Sequence, residues 1–201
     1  MKKLKISLLR KDVITCGDAV GIVVPQYANE CDMTGVSAIL LASRHGTGIL
    51  DYDVALCGDK LPYGKVLVTS GQKGVKLLNV SLLGAPEEKM PKYVFSAVFN
   101  ALYEAEKLGV KTLVIPALAT GQSGCLSFVE SARNIFTAIE FYQHLLPVMV
   151  DGCSLQEVRI ILHDEGAFEI FRKVWQQKSF VHNLQNALAT YRCSAQAQAA
   201  V

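Results

Sequence analysis

The residues best suited to chemistry gather in one stretch, VIPALATGQSGCLSFVESA, over positions 114–132. A β-branched apolar run leads into a loop of Ala, Thr, Gly, Gln, Ser and Gly, and a helix-forming segment follows. Small residues let backbone amides approach an anion closely, and the helix adds the positive end of its dipole. A loop of this kind, leaving the carboxyl end of a buried strand, is where open α/β sheets take ligands. The same residues serve equally well as a plain small-residue connection. No Gly-Lys-Ser/Thr follows, so this is not a Walker loop. Gly121-Gln122-Ser123-Gly124-Cys125 imitates a nucleophile elbow that lacks its last glycine. A serine hydrolase also needs a histidine and an acid. His163 and Asp164, read as strand neighbours, point to opposite sides and do not supply them.

The elements that must position this loop alternate along the chain. Residues 4–9 and 21–25 (GIVVP) read as strands, the second central because its apolar run is unbroken. Residues 34–44 read as a helix with Thr34 as N-cap. Residues 65–70 and 76–83 form strands of a hairpin with a four- or five-residue loop at Gly71 and Gly74. Pro91 opens a helix to Leu108, stopped by Gly109, with Val94, Val98, Ala101, Leu102 and Ala105 on its apolar face. Residues 112–118 form a buried strand, and 127–146 a helix presenting Phe128, Ala132, Ile135 and Ile139. A strand over 158–162 and a helix over 167–176 complete an α/β domain, its mixed sheet covered on both faces. Residues 179–192 make one more amphipathic helix, and 194–201 fray.

Composition narrows the function classes. The chain has 201 residues, 51% apolar and 19% charged, which excludes disorder for most of its length. A net charge of +2 is too small to imply a nucleic-acid or anionic-membrane partner. The charge-free stretch over 112–129 is broken by Pro116, Gly121 and Gly124 and is no membrane span. The apolar run near the start ends at Arg10, too early for a signal-peptide core. Six scattered cysteines without a C-x-x-C pair, and four distant histidines, argue for reduced thiols in a cytoplasmic protein and against zinc. No metal and no cofactor is expected.

The run KTLVIPALATGQSGCLSFVESARNIFTAI, over 111–139, resembles the second ligand loop and following helix of macro domains, whose strand reads roughly I-x-x-P-A-[IL]-[SG]-[TA]-G. The helix before it, KYVFSAVFNALYEAEKLGV, and the VRIILHD strand with AFEIFRKV resemble further elements of that family. Asp12-Val13 resembles its G-D-I, GIVVP its [AD]-I-V-N strand, and Met33-Thr34-Gly35-Val36-Ser37-Ala38-Ile39 its first ligand loop. The similarity covers roughly residues 4–177 and is loosest over 46–90. It implies a three-layer α/β/α macro-type domain over 1–177, with a mixed, mostly parallel central sheet. An extra C-terminal helix over 178–193 and a tail over 194–201 complete the chain.

The resemblance also implies a pocket for ADP-ribose, free or protein-linked, or for a related adenine nucleotide. Asp12 would accept from the adenine amino group, with Val13 offering its backbone. Gly35 and Val36 would lie against the distal ribose and diphosphate. Thr120, Gly121, Gln122, Ser123 and Gly124 would hold the phosphates, and His163 would flank the adenine. Family members that hydrolyse ADP-ribose esters carry an asparagine after the I-V-N strand and an aspartate after G-G-V. Here the strand runs Val23-Val24-Pro25-Gln26-Tyr27, and Ser37 follows Val36. A second hydrolase branch has an aspartate in the second loop, where this chain has Gln122-Ser123. Binding without hydrolysis is therefore expected, with Asp32 the one catalytic candidate. The alternatives are an ADP-ribosyl hydrolase and a degenerate macro domain acting as an interaction module. The composition and the tail permit a homodimer without requiring one.

Overall fold

The computed structural model describes residues 4–12, 21–28, 60–71, 74–121, 125–149 and 154–177. Within these, β1 (Lys5–Arg10), β2 (Gly21–Tyr27), β3 (Val66–Ser70), β4 (Lys76–Leu83), β5 (Thr112–Pro116) and β6 (Glu157–Leu162) form one sheet in the order β1-β6-β5-β2-β4-β3. Every pairing is parallel except β3 with β4. That antiparallel pair is the expected hairpin. Gly71 N–H donates to the Val75 carbonyl at 2.8 Å and closes the turn.

Three helices follow the strands: α1 (Met90–Lys107), α2 (Phe128–Met149) and α3 (Glu165–Gln176). Pro91 sits in the first turn of α1, where its missing N–H costs nothing. Gly109 ends the helix at φ 69°. Its N–H donates to Glu106 O at 3.0 Å and Val110 N–H reaches back to Ala105 O at 2.9 Å. This is the paired closure that a left-handed residue after a helix makes possible. Asp164 caps α3 by accepting from Ala167 N–H at 2.7 Å.

The pleat sorts the strands into two faces. Val23, Leu78, Val80, Leu113, Ile115, Val158 and Ile160 join the main core with the buried sides of all three helices. Ile22, Val24, Leu77, Val114 and Ile161 form a second cluster on the opposite face. A central strand with both faces buried must read as a continuous apolar run, and GIVV does. The helix expected over 34–44 and the terminal helix over 178–193 lie outside the described residues. So do the tail and the first ligand loop.

The strand over 21–25 extends two residues further, to Tyr27, because Gln26 and Tyr27 continue the pairing with β4. In the other direction, the strand expected to reach Leu118 stops at Pro116. One expectation needs correcting in its reason. His163 and Asp164 do not lie on a strand; β6 ends at Leu162, and Asp164 is the cap of α3. They fail to make a hydrolase pair because the acid is committed to a helix end.

Two carboxylates fix how strands enter the sheet. Glu106, 5% exposed on α1, accepts from the N–H groups of Ser154 and Leu155 and from the Tyr142 hydroxyl. It holds the segment entering β6 to both helices. Glu157 accepts from Ser7 Oγ at 2.7 Å, Lys5 Nζ at 2.8 Å and Arg159 Nε at 2.9 Å, tying β6 to β1. Burial alone would raise the Glu157 pKa, but those three partners together lower it from 4.5 to about 2.

Two predictions follow from these contacts. Glu106→Ala removes the acceptor of two amides and of one hydroxyl bond, so urea unfolding should show a loss of about 2–4 kcal/mol. For Glu157 the folded pKa lies below the unfolded one. Its contribution is therefore complete above about pH 4.5 and is lost as pH falls toward 2. With Lys5 largely exposed, the effect is about 1–2 kcal/mol. Glu157→Gln should flatten the stability–pH curve in that window and nowhere else, as read by denaturant midpoints from pH 2 to 7.

Candidate functional site

Strand order locates the crevice. The chain leaving β2 returns through β3 and β4 on one side, whereas β5 leads through α2 to β6 on the other. Connections that diverge from neighbouring parallel strands leave a gap at the carboxyl ends. The gap between β2 and β5 is widened by early loss of pairing. Only Gly21↔Leu113 and Ile22↔Val114 are in register, although both strands run on. Pro116, the last residue of β5, has no N–H to give.

The loop that leaves β5 at this gap is pinned from beneath. Leu118 and Leu126 belong to the core. The Leu118 carbonyl accepts from the hydroxyl of the fully buried Ser131 on α2 at 2.7 Å. The Ala119 carbonyl accepts from Leu126 N–H at 2.9 Å. Ala119 itself sits at φ 57°, in the left-handed region that alanine seldom enters. In a trans peptide the N–H points opposite to the preceding carbonyl. With the carbonyls of Leu118 and Ala119 turned inward, the N–H groups of Ala119 and Thr120 turn the other way. Among the described residues, the N–H groups of Ala119, Thr120 and Gly121 meet no acceptor. Successive amides in such a turn make a concave anion-binding face. Gly121 is exposed and a Cβ built on it meets nothing within 4 Å among the described residues, so neither its backbone angles nor that packing requires glycine there.

The helix after the loop is closed by its own side chains. Ser127 Oγ accepts from Glu130 N–H at 3.2 Å, while Glu130 Oε2 accepts from Ser127 N–H at 3.0 Å and from its hydroxyl at 2.7 Å. This reciprocal box satisfies the N–H groups of Ser127 and Glu130. The Ser127 hydrogen bonds, side chain first, lower the Glu130 pKa and keep a negative charge at the helix end. That charge opposes an anion at the helix end, which leaves the loop amides as the donors facing one. The Cys125 thiol is pushed up by desolvation and then by the charge on Glu87, so it stays protonated at neutral pH.

The described candidates line one edge of the sheet. Asp12, half-buried, lies two residues past β1, and the exposed His163 follows β6 directly. Arg10 pairs with Leu162, and Lys11 N–H donates to the Leu162 carbonyl, so Asp12 and His163 emerge side by side. The loop with Thr120 and Gly121 comes next above β5, and Gln26 and Tyr27 end β2 beyond it. Val13, Asp32, Gly35, Val36, Gln122, Ser123 and Gly124 lie outside the described residues. Among the described residues, no group of three His, Cys, Asp or Glu could hold a metal.

Two features escaped the sequence reading. Gln26 is fully buried and donates to Asn79, whose amide donates to Thr69 Oγ1 at 3.0 Å and to the Leu67 carbonyl at 3.1 Å, forming a polar seam across β2, β4 and β3. The signal was a glutamine closing an apolar run. Ser131 is the other. Its only mark was a small polar residue beside Ala132 on the buried face of α2.

No family model matches the sequence. Among curated proteins, an uncharacterized protein of Pyrobaculum aerophilum is 30% identical over 122 residues, 58% of this chain and 61% of that protein. An ADP-ribose glycohydrolase of Archaeoglobus fulgidus is 23% identical over 127 residues, 59% of this chain and 62% of that protein. The chain thus matches about three fifths of the length of these relatives. Among solved structures, a mutant of the Oceanobacillus iheyensis macrodomain superposes with a TM-score of 0.70 at 19% identity, covering 85% of this chain and 89% of that one. The same macrodomain solved with ADP gives 0.68 at 18% identity, covering 84% and 88%. The macro domain of ganglioside induced differentiation associated protein 2 gives 0.68 at 13% identity, covering 87% and 86%.

Proposed function

The chain has the three-layer α/β/α macrodomain fold, and on that premise we propose that it binds ADP-ribose, free or attached to protein, without hydrolysing it. The observation that carries this reading is that the carbonyls of Leu118 and Ala119 are held inward while the amides of Ala119, Thr120 and Gly121 meet no acceptor among the described residues. A diphosphate placed there meets several N–H donors at once, with charge-assisted hydrogen bonds. From β1 to β2 the site edge crosses three strand spacings, about 14 Å. Asp12 and His163 then flank the base at one end, and the loop above β5 takes the phosphates. Gly35 and Val36 take the distal ribose. A macrodomain solved with ADP-ribose and others solved with ADP support the same ligand class.

The second reading, an ADP-ribosyl hydrolase, is favoured by the name of the Archaeoglobus relative. It requires a proton acceptor. Asp164 is committed to its cap and the Cys125 thiol is held protonated; Asp32, the carboxylate next to the first ligand loop, is the residue on which that reading turns.

Gly121→Glu places a negative charge against the phosphates at a position where no described residue crowds a side chain. Calorimetric titration should show ADP-ribose weakened by about tenfold or more with the melting temperature nearly unchanged. A folded variant that binds like the wild type removes the loop from the site. Catalysis is tested separately, by release of ADP-ribose from modified protein. Without a general base the rate should fall about 10²–10⁴ below that of a competent hydrolase. Repeated turnovers that vanish in Asp32→Ala would establish the hydrolase instead.

A further inference from the structure

We propose that Ser131 is a positioning residue for the phosphate-binding loop, acting through the Leu118–Ala119 peptide. The proposal rests on the ADP-ribose reading given above. Ser131 lies fully buried on α2, next to Ala132 and one turn before Ile135. A serine inside a helix usually returns its hydroxyl to the carbonyl four residues back. Here the hydroxyl crosses to the Leu118 carbonyl at 2.7 Å, thirteen residues away in sequence.

The consequence reaches the ligand side of the loop. Holding the Leu118 carbonyl against α2 fixes the plane of the following peptide, so that the Ala119 N–H faces away from the helix. The next peptide is fixed in the same sense by Leu126 N–H on the Ala119 carbonyl. Between these two holds, Ala119 stays at φ 57°, a conformation that persists only where its surroundings enforce it. With the Ser131 hydroxyl gone, the Leu118–Ala119 peptide is free to turn over. A carbonyl oxygen then faces the anion in place of an amide. Ser131 touches no ligand, yet it sets whether the loop attracts or repels a phosphate.

The test compares wild type, Ser131→Ala and Ser131→Thr. Alanine removes one oxygen and is a better helix former, so the fold survives; threonine keeps the hydroxyl. ADP-ribose affinity by calorimetry should fall about tenfold in Ser131→Ala and stay within about threefold in Ser131→Thr. The amide resonances of Ala119, Thr120 and Gly121 should move in the unliganded alanine variant while those of the sheet stay in place. A merely structural role would not give that selectivity. Equal affinity of wild type and Ser131→Ala overturns the proposal and leaves the ligand reading standing. Equal loss in both variants overturns it too, since packing and not the hydroxyl would then matter. If the wild type itself does not bind ADP-ribose, the functional reading falls and the proposal falls with it.

Discussion

Parallel strands stay together only while both can exchange backbone hydrogen bonds, and between β2 and β5 that exchange ends after Ile22 and Val114. The arrangement of the candidate site depends on this early parting. Pro116 cannot donate, the next residues leave the sheet, and β2 continues its pairing with β4 alone. The gap is therefore set by the main chain before any side chain is placed. Had β5 continued in register to Leu118, as its apolar run suggests, the amides of the following loop would be spent on the ladder. A strand that stops early leaves donors for a ligand.

Such a gap is stable only if the strands around it cannot slip. Polar groups placed at element ends supply much of that restraint. Glu106 fixes the entry of β6, Glu157 locks β6 to β1, and the Gln26–Asn79–Thr69 seam ties β2 to β4 and β3. Each is specific in a way that the Val, Ile and Leu contacts are not: a slip of two residues would keep every apolar side chain on its own face but break these pairs. Apolar burial makes the sheet cohere and rules out one-residue slips, and these polar contacts oppose slips of two.

How much of this was legible in the sequence follows from which signals are local. The helix over 90–107 was readable because Pro91, the apolar spacing and Gly109 all act within one segment. The hairpin was readable for the same reason, with turn glycines between two β-branched runs. Strand order was not, since periodicity says nothing about which strands become neighbours. In the site, the small-residue loop drew attention by composition, but the hydroxyl that holds its Leu118 carbonyl comes from another element. The left-handed alanine has no signature either, because alanine is not a residue from which a positive φ is expected. His163 and Asp164 show the opposite failure. Their adjacency was visible, whereas the end of β6 at Leu162 that separates their roles was not.

A site built from backbone amides places weak demands on side-chain identity, and this bears on the distance between the chain and its structural neighbours. The superposition holds at a TM-score of 0.70 while identity is 19%. For phosphate recognition the requirement is that two carbonyls be turned inward so that the amides after them face out. Any residue able to accept the backbone angles at 119, and any donor able to reach the Leu118 carbonyl, meets it. Hydrolysis is more exacting, because moving a proton needs one group of suitable pKa at one place. Binding can therefore survive sequence drift that removes catalysis. That asymmetry separates the two readings proposed above: binding turns on the oriented amides of Ala119 and Thr120, hydrolysis on a proton acceptor.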